Sequence, residues 1–417
     1  MTASIFPRVI RDGLVVDYDP AYYTSFNSDE NLLTYSDQFG TGWILDSATV
    51  TSNSIIAPDG TLTGDTLVST ITGGNNNAFA TQQKNGLTTG LVYTYSVYVR
   101  AGTSPTTLID FYVVTPYTEV TAIITWGGTT PSIVYNGSAL ISGTFDLVSN
   151  GWYRVSLTMS IGTGTAMTQR VYIRGQGTNN VSGETVYAWG AQLERSRTSN
   201  KYVTTTTTAV TRSTTLNNLV STSYPGTLVG NVAYNTQGQG SLYFNEIDSE
   251  YISMYTLPAA FWNAGSWTVS AWYRPATTSK SFGDHGILGH GAVSFSQGLH
   301  LGIRNTQVYF GFYGNDANSS VGTISANTWY HIVWVYDFIQ AQRIIYVNGI
   351  AVYTQNLTGN AGYGYSGTGT NTQLGRYPWA PTNHMCSGNL GRVQIYNRVL
   401  SASEVSQIYS SMVGRYS

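Results

Sequence analysis

The chain has 417 residues, 10% of them charged against about 25% in an average soluble domain, and a formal net charge of -2. This balance provides no basic stripe and so excludes counterion-release binding to nucleic acid. A hydrophobic content of 41% with 10 Trp excludes a disordered chain, and no apolar run is long enough for a membrane-spanning helix.

In chain order, Met1–Gly13 has neither an apolar h-region nor a small-residue cleavage site, so no secretory signal is expected. Residues 1–11 read as an arm that docks on a neighbouring protein or as an extra edge strand. Asn27–Glu30 is a polar, turn-like joint. Leu91, Tyr93, Tyr95, Val97 and Val99 alternate with mostly polar residues, as in a half-buried antiparallel strand. Tyr153, Val155, Leu157 and Met159 do the same opposite Arg154, Ser156 and Thr158. Thr204–Thr208 is a run of β-branched residues that favours an extended strand or stiff connector. Trp329–Tyr336 is almost continuously apolar and predicts a central strand. Asn348-Gly349 between two β-branched runs predicts a hairpin with a type I′ turn. Ser401 and Glu404 form a capping-box pattern, followed by Val405, Ile408, Tyr409 and Met412 at helical spacing. Many short strands with Gly-rich turns make the fold class all-β, β-sandwiches or barrels of antiparallel strands, with one short C-terminal helix. Trp152, Tyr153, Trp189, Trp267, Trp329 and Trp334 read as core.

Chemistry is sparse. Glycoside hydrolysis needs two carboxylates roughly 5–10 Å apart, and the acids here are few and scattered. No His-Glu-x-x-His or Gly-x-Ser-x-Gly motif occurs, so no enzyme is expected. Sugars stack their C–H faces on aromatic rings while amides and guanidinium groups bond the hydroxyls. Candidates are thus aromatics in Gly/Asn-rich loops: Trp126, Tyr313 with Asn315, Tyr363, Tyr365, and Tyr377 and Trp379 with Arg376. The competing reading packs these rings onto the sandwiches or into an oligomer interface. A zinc site at His384 and Cys386 would need two further ligands. The lone Cys386 permits no intramolecular disulfide and suits folding in a reducing cytosol.

Several segments carry a resemblance. Gly240–Asn245, Ser266–Tyr273, Trp329–Val333, Tyr346–Gly349 and Gly391–Ser401 occur in the order of the laminin-G-like, concanavalin-like jelly-roll domains, which the C-terminal part resembles. The family's opening strand is matched by Asp12–Asp19, about 200 residues upstream, and its continuation by Thr214–Leu219. Asn31–Ser36, Ala57–Thr61, Tyr93–Gly102, Asn150–Val155 and Trp189–Glu194 resemble a carbohydrate-binding-module-like sandwich common in tailed-phage virion proteins.

The resemblances imply three parts: 1–27 as N-terminal arm and first strand of the laminin-G-like domain, 28–212 as an inserted carbohydrate-binding-module-like sandwich, and 213–417 as the laminin-G-like jelly roll. They also imply a structural Ca2+, for which Asp59, Asp248 and Asp316 are the candidate ligands, unless these aspartates simply make turns. The implied function is a non-enzymatic virion structural protein: a head decoration, fibre or adhesin, made in the host cytoplasm and exposed on the particle. It would bind host-surface carbohydrate, contact other virion proteins, form a homo-oligomer, and insert into no membrane. The alternatives are a purely structural virion subunit without glycan binding, or a bacterial polysaccharide-binding or depolymerising module.

Overall fold

Period-two alternation is realised as four antiparallel sheets among the described residues of the computed structural model. Those residues are 9–73, 78–127, 130–174, 179–246, 249–254, 257–263, 265–280, 283–317, 324–357, 364–369, 371–380 and 384–417. The chain divides into two compact units, Met1–Ser28 with Ser213–Ser417, and Asp29–Arg212. No helix among the described residues is long and apolar enough to cross a membrane.

In the first unit, one sheet runs Ala233–Asn235, Ser241–Phe244, Gly388–Tyr396, Trp267–Pro275, Tyr330–Asp337, Gln342–Val347, Ile350–Asn356. Leu14–Tyr18 also pairs with Gly388–Tyr396, at Val393–Tyr396, while Ser241–Phe244 pairs with it at Gly388–Leu390. The facing sheet runs Thr215–Leu216, Gly226–Val229, Tyr251–Ser253, Gln373–Leu374, His285–Gly291, Gly298–Arg304, Gln307–Phe312, Asp316–Ala317. Val16, Trp267, Val269, Trp334, Leu301, Phe310 and Phe312 fill the core of this unit. Burial of each such side chain contributes about 1.5–3 kcal/mol. Tyr330–Asp337 is a buried interior strand, and Asn348 and Gly349 turn with φ of 50° and 80°, as a type I′ hairpin requires. Ser401 caps Ala402–Met412, its hydroxyl accepting from the Glu404 amide while the Glu404 carboxylate accepts from the Ser401 amide. A one-turn helix, Ala259–Asn263, escaped the sequence reading. It seats Trp262, whose Nε1 donates to Thr372 Oγ1 at 3.1 Å.

The second unit has one six-stranded sheet ordered Leu140–Ser149, Trp152–Ser160, Val92–Ala101, Thr185–Glu194, Gly64–Ser69, Ala48–Ile55. The other is ordered Ile44–Asp46, Phe79–Asn85, Ala166–Tyr172, Thr106–Val113, Thr118–Thr125, Ser132–Asn136. Tyr95, Val97, Val155 and Leu157 meet Phe111, Val113 and Val171 in its core. The expected half-burial of Val92–Ala101 and Trp152–Ser160 is corrected, because their polar faces are covered as well. Thr94 Oγ1 donates to Ser196 O at 2.9 Å, Arg154 donates to Asn200 O at 2.5 Å, and Tyr202 packs edge-on to Tyr98. The threonine run is not a strand. The Tyr35 and Ser36 amides donate to the Thr206 and Thr205 carbonyls, and Thr205 Oγ1 donates to Leu33 O at 2.9 Å. Trp152, Trp189, Trp267 and Trp334 are buried, but Tyr153 and Trp329 are only half-buried.

A buried ionic knot ties Leu14–Tyr18 to the rest of its unit. Arg392 donates to both Asp17 oxygens at 2.7 and 2.6 Å, and Arg415 donates to Asp19 at 2.7 Å. Arg392 and Asp17 are 7% and 6% exposed, so solvent screens the pair little. Asp17→Asn is expected to cost roughly 3–5 kcal/mol, the usual loss when one partner of a buried pair is removed. Urea unfolding followed by tryptophan fluorescence measures it; a loss below about 1 kcal/mol would refute the buried-charge argument.

Candidate functional site

On the strand Gly298–Arg304, Leu299, Leu301 and Ile303 enter the core, which leaves Gly298, His300, Gly302 and Arg304 on the opposite face. On Gln307–Phe312, Val308, Phe310 and Phe312 are core, and Tyr309 and Gly311 share the face with His300. The segment Arg376–Trp379 and His384 lie directly over this face, and glycines make the room. A Cβ on Gly302 would stand 2.2 Å from His285 O and 2.4 Å from Tyr377 Oη. One on Gly289 would meet Pro378 at 2.7 Å, and one on Gly286 would meet His384 O at 2.4 Å. Glycine inside a strand marks such close approach.

The rings form a continuous layer. His300 stacks on Tyr309 with centroids 5.1 Å apart, and Tyr377 stacks on Trp379 at 5.4 Å and on His384 at 5.3 Å. Trp379 meets His300 edge-on at 5.4 Å and Tyr313 edge-on at 5.3 Å. Tyr377 is fully buried beneath, while Trp379 and Tyr313 are half-buried. Phe295, 58% exposed, lies beside them, where a Cβ on Gly314 would be 3.2 Å from its ring. Among the described residues, neither Tyr377 Oη nor Trp379 Nε1 has a hydrogen-bond partner.

Charge surrounds the layer but is already paired. Arg304 donates to both oxygens of Asp284, at 2.7 and 2.8 Å, and its guanidinium carbon lies 3.7 Å from the Tyr309 ring centroid. Burial alone would raise the Asp284 carboxyl, but the His384 imidazole and the Arg304 guanidinium hold it down to about 2. His300 Nε2 lies 2.9 Å from Asp316 Oδ1, and His300 Nδ1 donates to Gly298 O at 2.8 Å. Burial would likewise raise Asp316, yet His300 and Tyr309 hold it below the usual carboxylate range.

Of the residues singled out from sequence, Tyr313, Tyr377 and Trp379 are thus brought together. The others are not. Tyr365, 5% exposed, is a core ring whose hydroxyl lies 2.5 Å from His290 Nδ1 and donates to Gln297 O at 3.2 Å. Asn315 is buried and accepts from Arg343 through both its backbone and its side-chain oxygen. Arg376 lies 3.4 Å over the Tyr251 ring and donates to Gln373 Oε1 at 2.7 Å. Trp126, in the other unit, donates from Nε1 to Thr107 Oγ1 at 2.8 Å and packs near Tyr153, which favours the packing reading. Tyr363 and Asp248 lie outside the described residues. Asp59 accepts from the Thr61 amide and hydroxyl, so it makes a turn.

Asp59 and Asp316 each have a local partner, the Thr61 amide and hydroxyl for one and His300 for the other. Among the described residues no group of three or more His, Cys, Asp or Glu could hold a metal ion. Cys386 donates instead to Gly286 O at 3.1 Å, and His285 faces the Tyr273 hydroxyl at 3.1 Å. Phe295, His300, Tyr309, Arg304 and Asp284 escaped the sequence reading, which weighed His384 only as a zinc ligand. The signal that could have found them is the glycine spacing within otherwise apolar strands.

The Laminin_G_3 family, described as the concanavalin A-like lectin/glucanases superfamily, matches residues 248–406. No curated protein matches the chain. Among solved structures, domain 4 of AbnA, a GH43 extracellular arabinanase from Geobacillus stearothermophilus determined with arabinotriose, is 19% identical with a TM-score of 0.37. The match covers 46% of this chain and 92% of that one. The Ruminococcus gnavus IT-sialidase CBM40 is 18% identical over 40% of this chain and 96% of its own, with a TM-score of 0.33. NanB sialidase from Streptococcus pneumoniae is 16% identical, with a TM-score of 0.32; the match covers 40% of this chain and only 27% of NanB.

Two outcomes test the site's construction. Gly302→Ala forces its new methyl against the His285 carbonyl and the Tyr377 hydroxyl and is expected to destabilise by about 2 kcal/mol, measured by chemical denaturation. Because the folded pKa of Asp284 lies below its ordinary 3.8, its contribution is present above about pH 4 and is lost as pH falls toward 2. Thermal melts of Asp284→Asn should show a lower Tm at neutral pH and a flatter decline below pH 4. An unchanged acid slope would sink this assignment.

Proposed function

We propose that this protein recognises glycans without catalysis, as an exposed virion protein of a tailed phage. The observation that carries the glycan reading is the half-buried Trp379–Tyr313 edge, flanked by exposed Phe295 and laid on a sheet face cleared by glycines. Such a flat edge suits the apolar face of a sugar ring, with Asp316 and His384 at its border to bond hydroxyls. The match of 248–406 to a lectin/glucanase-like family supports the same reading. The non-catalytic part is supported by the acids nearest the edge: Asp284 is held by Arg304 and Asp316 by His300, so neither is poised to transfer a proton. The virion setting rests on the pairing of a laminin-G-like sequence with a carbohydrate-binding-module-like one. In that setting the chain works as a homo-oligomer fixed to other virion proteins, which multiplies a weak single-site affinity.

A second reading, a virion subunit that binds only its neighbours, is favoured by the burial of Tyr365 and Tyr377, candidate sugar-facing rings that serve the interior instead. A glycan array probed with the intact protein separates the two. The proposed function expects binding to host-surface polysaccharide that Trp379→Ala weakens at least tenfold, about 1.4 kcal/mol. An array without signal, for a protein that labels purified phage particles by antiserum, would leave the purely structural reading. Absence from particles would remove the virion setting.

A further inference from the structure

The same unit carries a second aromatic constellation on its other sheet. On Trp267–Pro275, Val269, Ala271 and Tyr273 point into the core, and Trp272 lies on the opposite face beneath the end of the helix Ala402–Met412. Tyr416 lies parallel to the Trp272 ring with centroids 4.3 Å apart, and Tyr409 lies parallel to it at 5.9 Å. Trp329 closes the group, 4.7 Å from Tyr416. With Arg274 and Asn348 these rings line a cavity of about 450 Å3. That volume falls in the lower part of the range of small-molecule sites, about 300–1,000 Å3.

The walls are held open by local structure. Gly238 has a φ of +62°, and a Cβ there would stand 2.5 Å from the Tyr416 ring and 3.0 Å from Trp329. Asn348 Oδ1 accepts from the His331 amide at 3.0 Å, which fixes its carboxamide, and Arg274 Nε donates to Asn327 O at 3.0 Å, which fixes its guanidinium. Among the described residues, Arg274 is the single charged side chain of the lining, and no Asp or Glu takes part. Trp272, 3% exposed, has no hydrogen-bond partner for its Nε1 among the described residues. Aromatic walls, one fixed guanidinium and one fixed carboxamide describe a site for a ring with apolar faces and a hydroxylated rim.

We propose that this cavity is a second binding site, for a single neutral hexopyranose at the end of a glycan. It does not depend on the Trp379 edge, which lies on the facing sheet. The ring would pack against Trp329 and Tyr409, with its hydroxyls on Arg274 and Asn348. Saturation-transfer NMR on the intact protein tests this with two probes, methyl β-D-galactopyranoside and methyl α-D-glucopyranoside. Transfer to at least one is expected, together with a shift of the Trp272 or Trp329 indole N–H resonance. Trp329→Ala is expected to abolish the transfer. Arg274→Gln, at a half-buried position, is expected to weaken binding at least tenfold while circular dichroism stays unchanged. No transfer to either glycoside overturns the proposal, as does transfer that survives both variants or is lost only in Trp379→Ala. A silent glycan array would not mimic these results, because the indole shifts report this cavity alone.

Discussion

The first unit depends on a buried charge network that joins residues far apart in sequence. Arg392 and Asp17 are separated by 375 positions, and Arg415 and Asp19 by 396. The strand Leu14–Tyr18 comes before the second unit in the chain, and everything it pairs with comes after. Backbone pairing to Gly388–Tyr396 is supplemented by the return segment: Asn218 Oδ1 accepts from the Asp17 amide, while Asn218 Nδ2 donates to Val15 O. A charge left unpaired in this setting would cost several kcal/mol, so the network favours one register over slipped alternatives. Each unit also closes its own ends. Asn31 and Val210 exchange both backbone bonds in one, and Ser213 donates to Asn27 O in the other. With ends pinned together, a long intervening chain adds little loop-closure entropy to either unit.

With the register fixed, alternation decides what each sheet can present. Leu299, Leu301 and Ile303 are committed to the core, so His300 and Arg304 must lie outside. The outer face would ordinarily be open to water. Here glycines on the strands let a second aromatic layer settle against the backbone, and His300, Tyr309, Tyr377 and Trp379 become one contiguous group of stacked and edge-on rings. The other sheet repeats the principle with Trp272, Tyr416 and Gly238. Aromatic surface is therefore kept at the periphery of both sheets by the absence of Cβ atoms rather than by long loops.

Local signals were the legible ones. The Asn348-Gly349 turn and the Ser401–Glu404 cap need only adjacent residues, and the structure contains both. The alternation of Tyr153 to Met159 identified a strand but not its double burial, because the covering segment around Asn200 is remote in sequence. Loop composition drew attention to Tyr313 and Trp379, which the structure brings edge to face. It misplaced Tyr365, since a glycine-rich segment can fold inward when a buried histidine such as His290 awaits its hydroxyl. Trp329 was read as core because it opens the apolar run read as a central strand, yet the strand begins at Tyr330 and leaves the indole half-buried. His300 and Tyr309 were invisible because a polar residue on the outer face of a strand reads as solvated whatever layer covers it.

The scarcity of charge takes on a sharper meaning in this architecture. Asp284 is held by Arg304, Asp316 faces His300, and Asp17 and Asp19 hold Arg392 and Arg415. These carboxylates are spent on fixing positions, which leaves hydroxyls, amides and ring edges to meet the solvent. Contacts of that kind are individually weak, since they exchange water for partners of similar strength and must still offset the loss of translational freedom on association. A surface built this way gains affinity by repetition rather than by a single deep pocket. That requirement connects the chemistry of the two aromatic groups with a repetitive particle surface, the setting proposed for this chain, in which many copies face the same polymeric ligand.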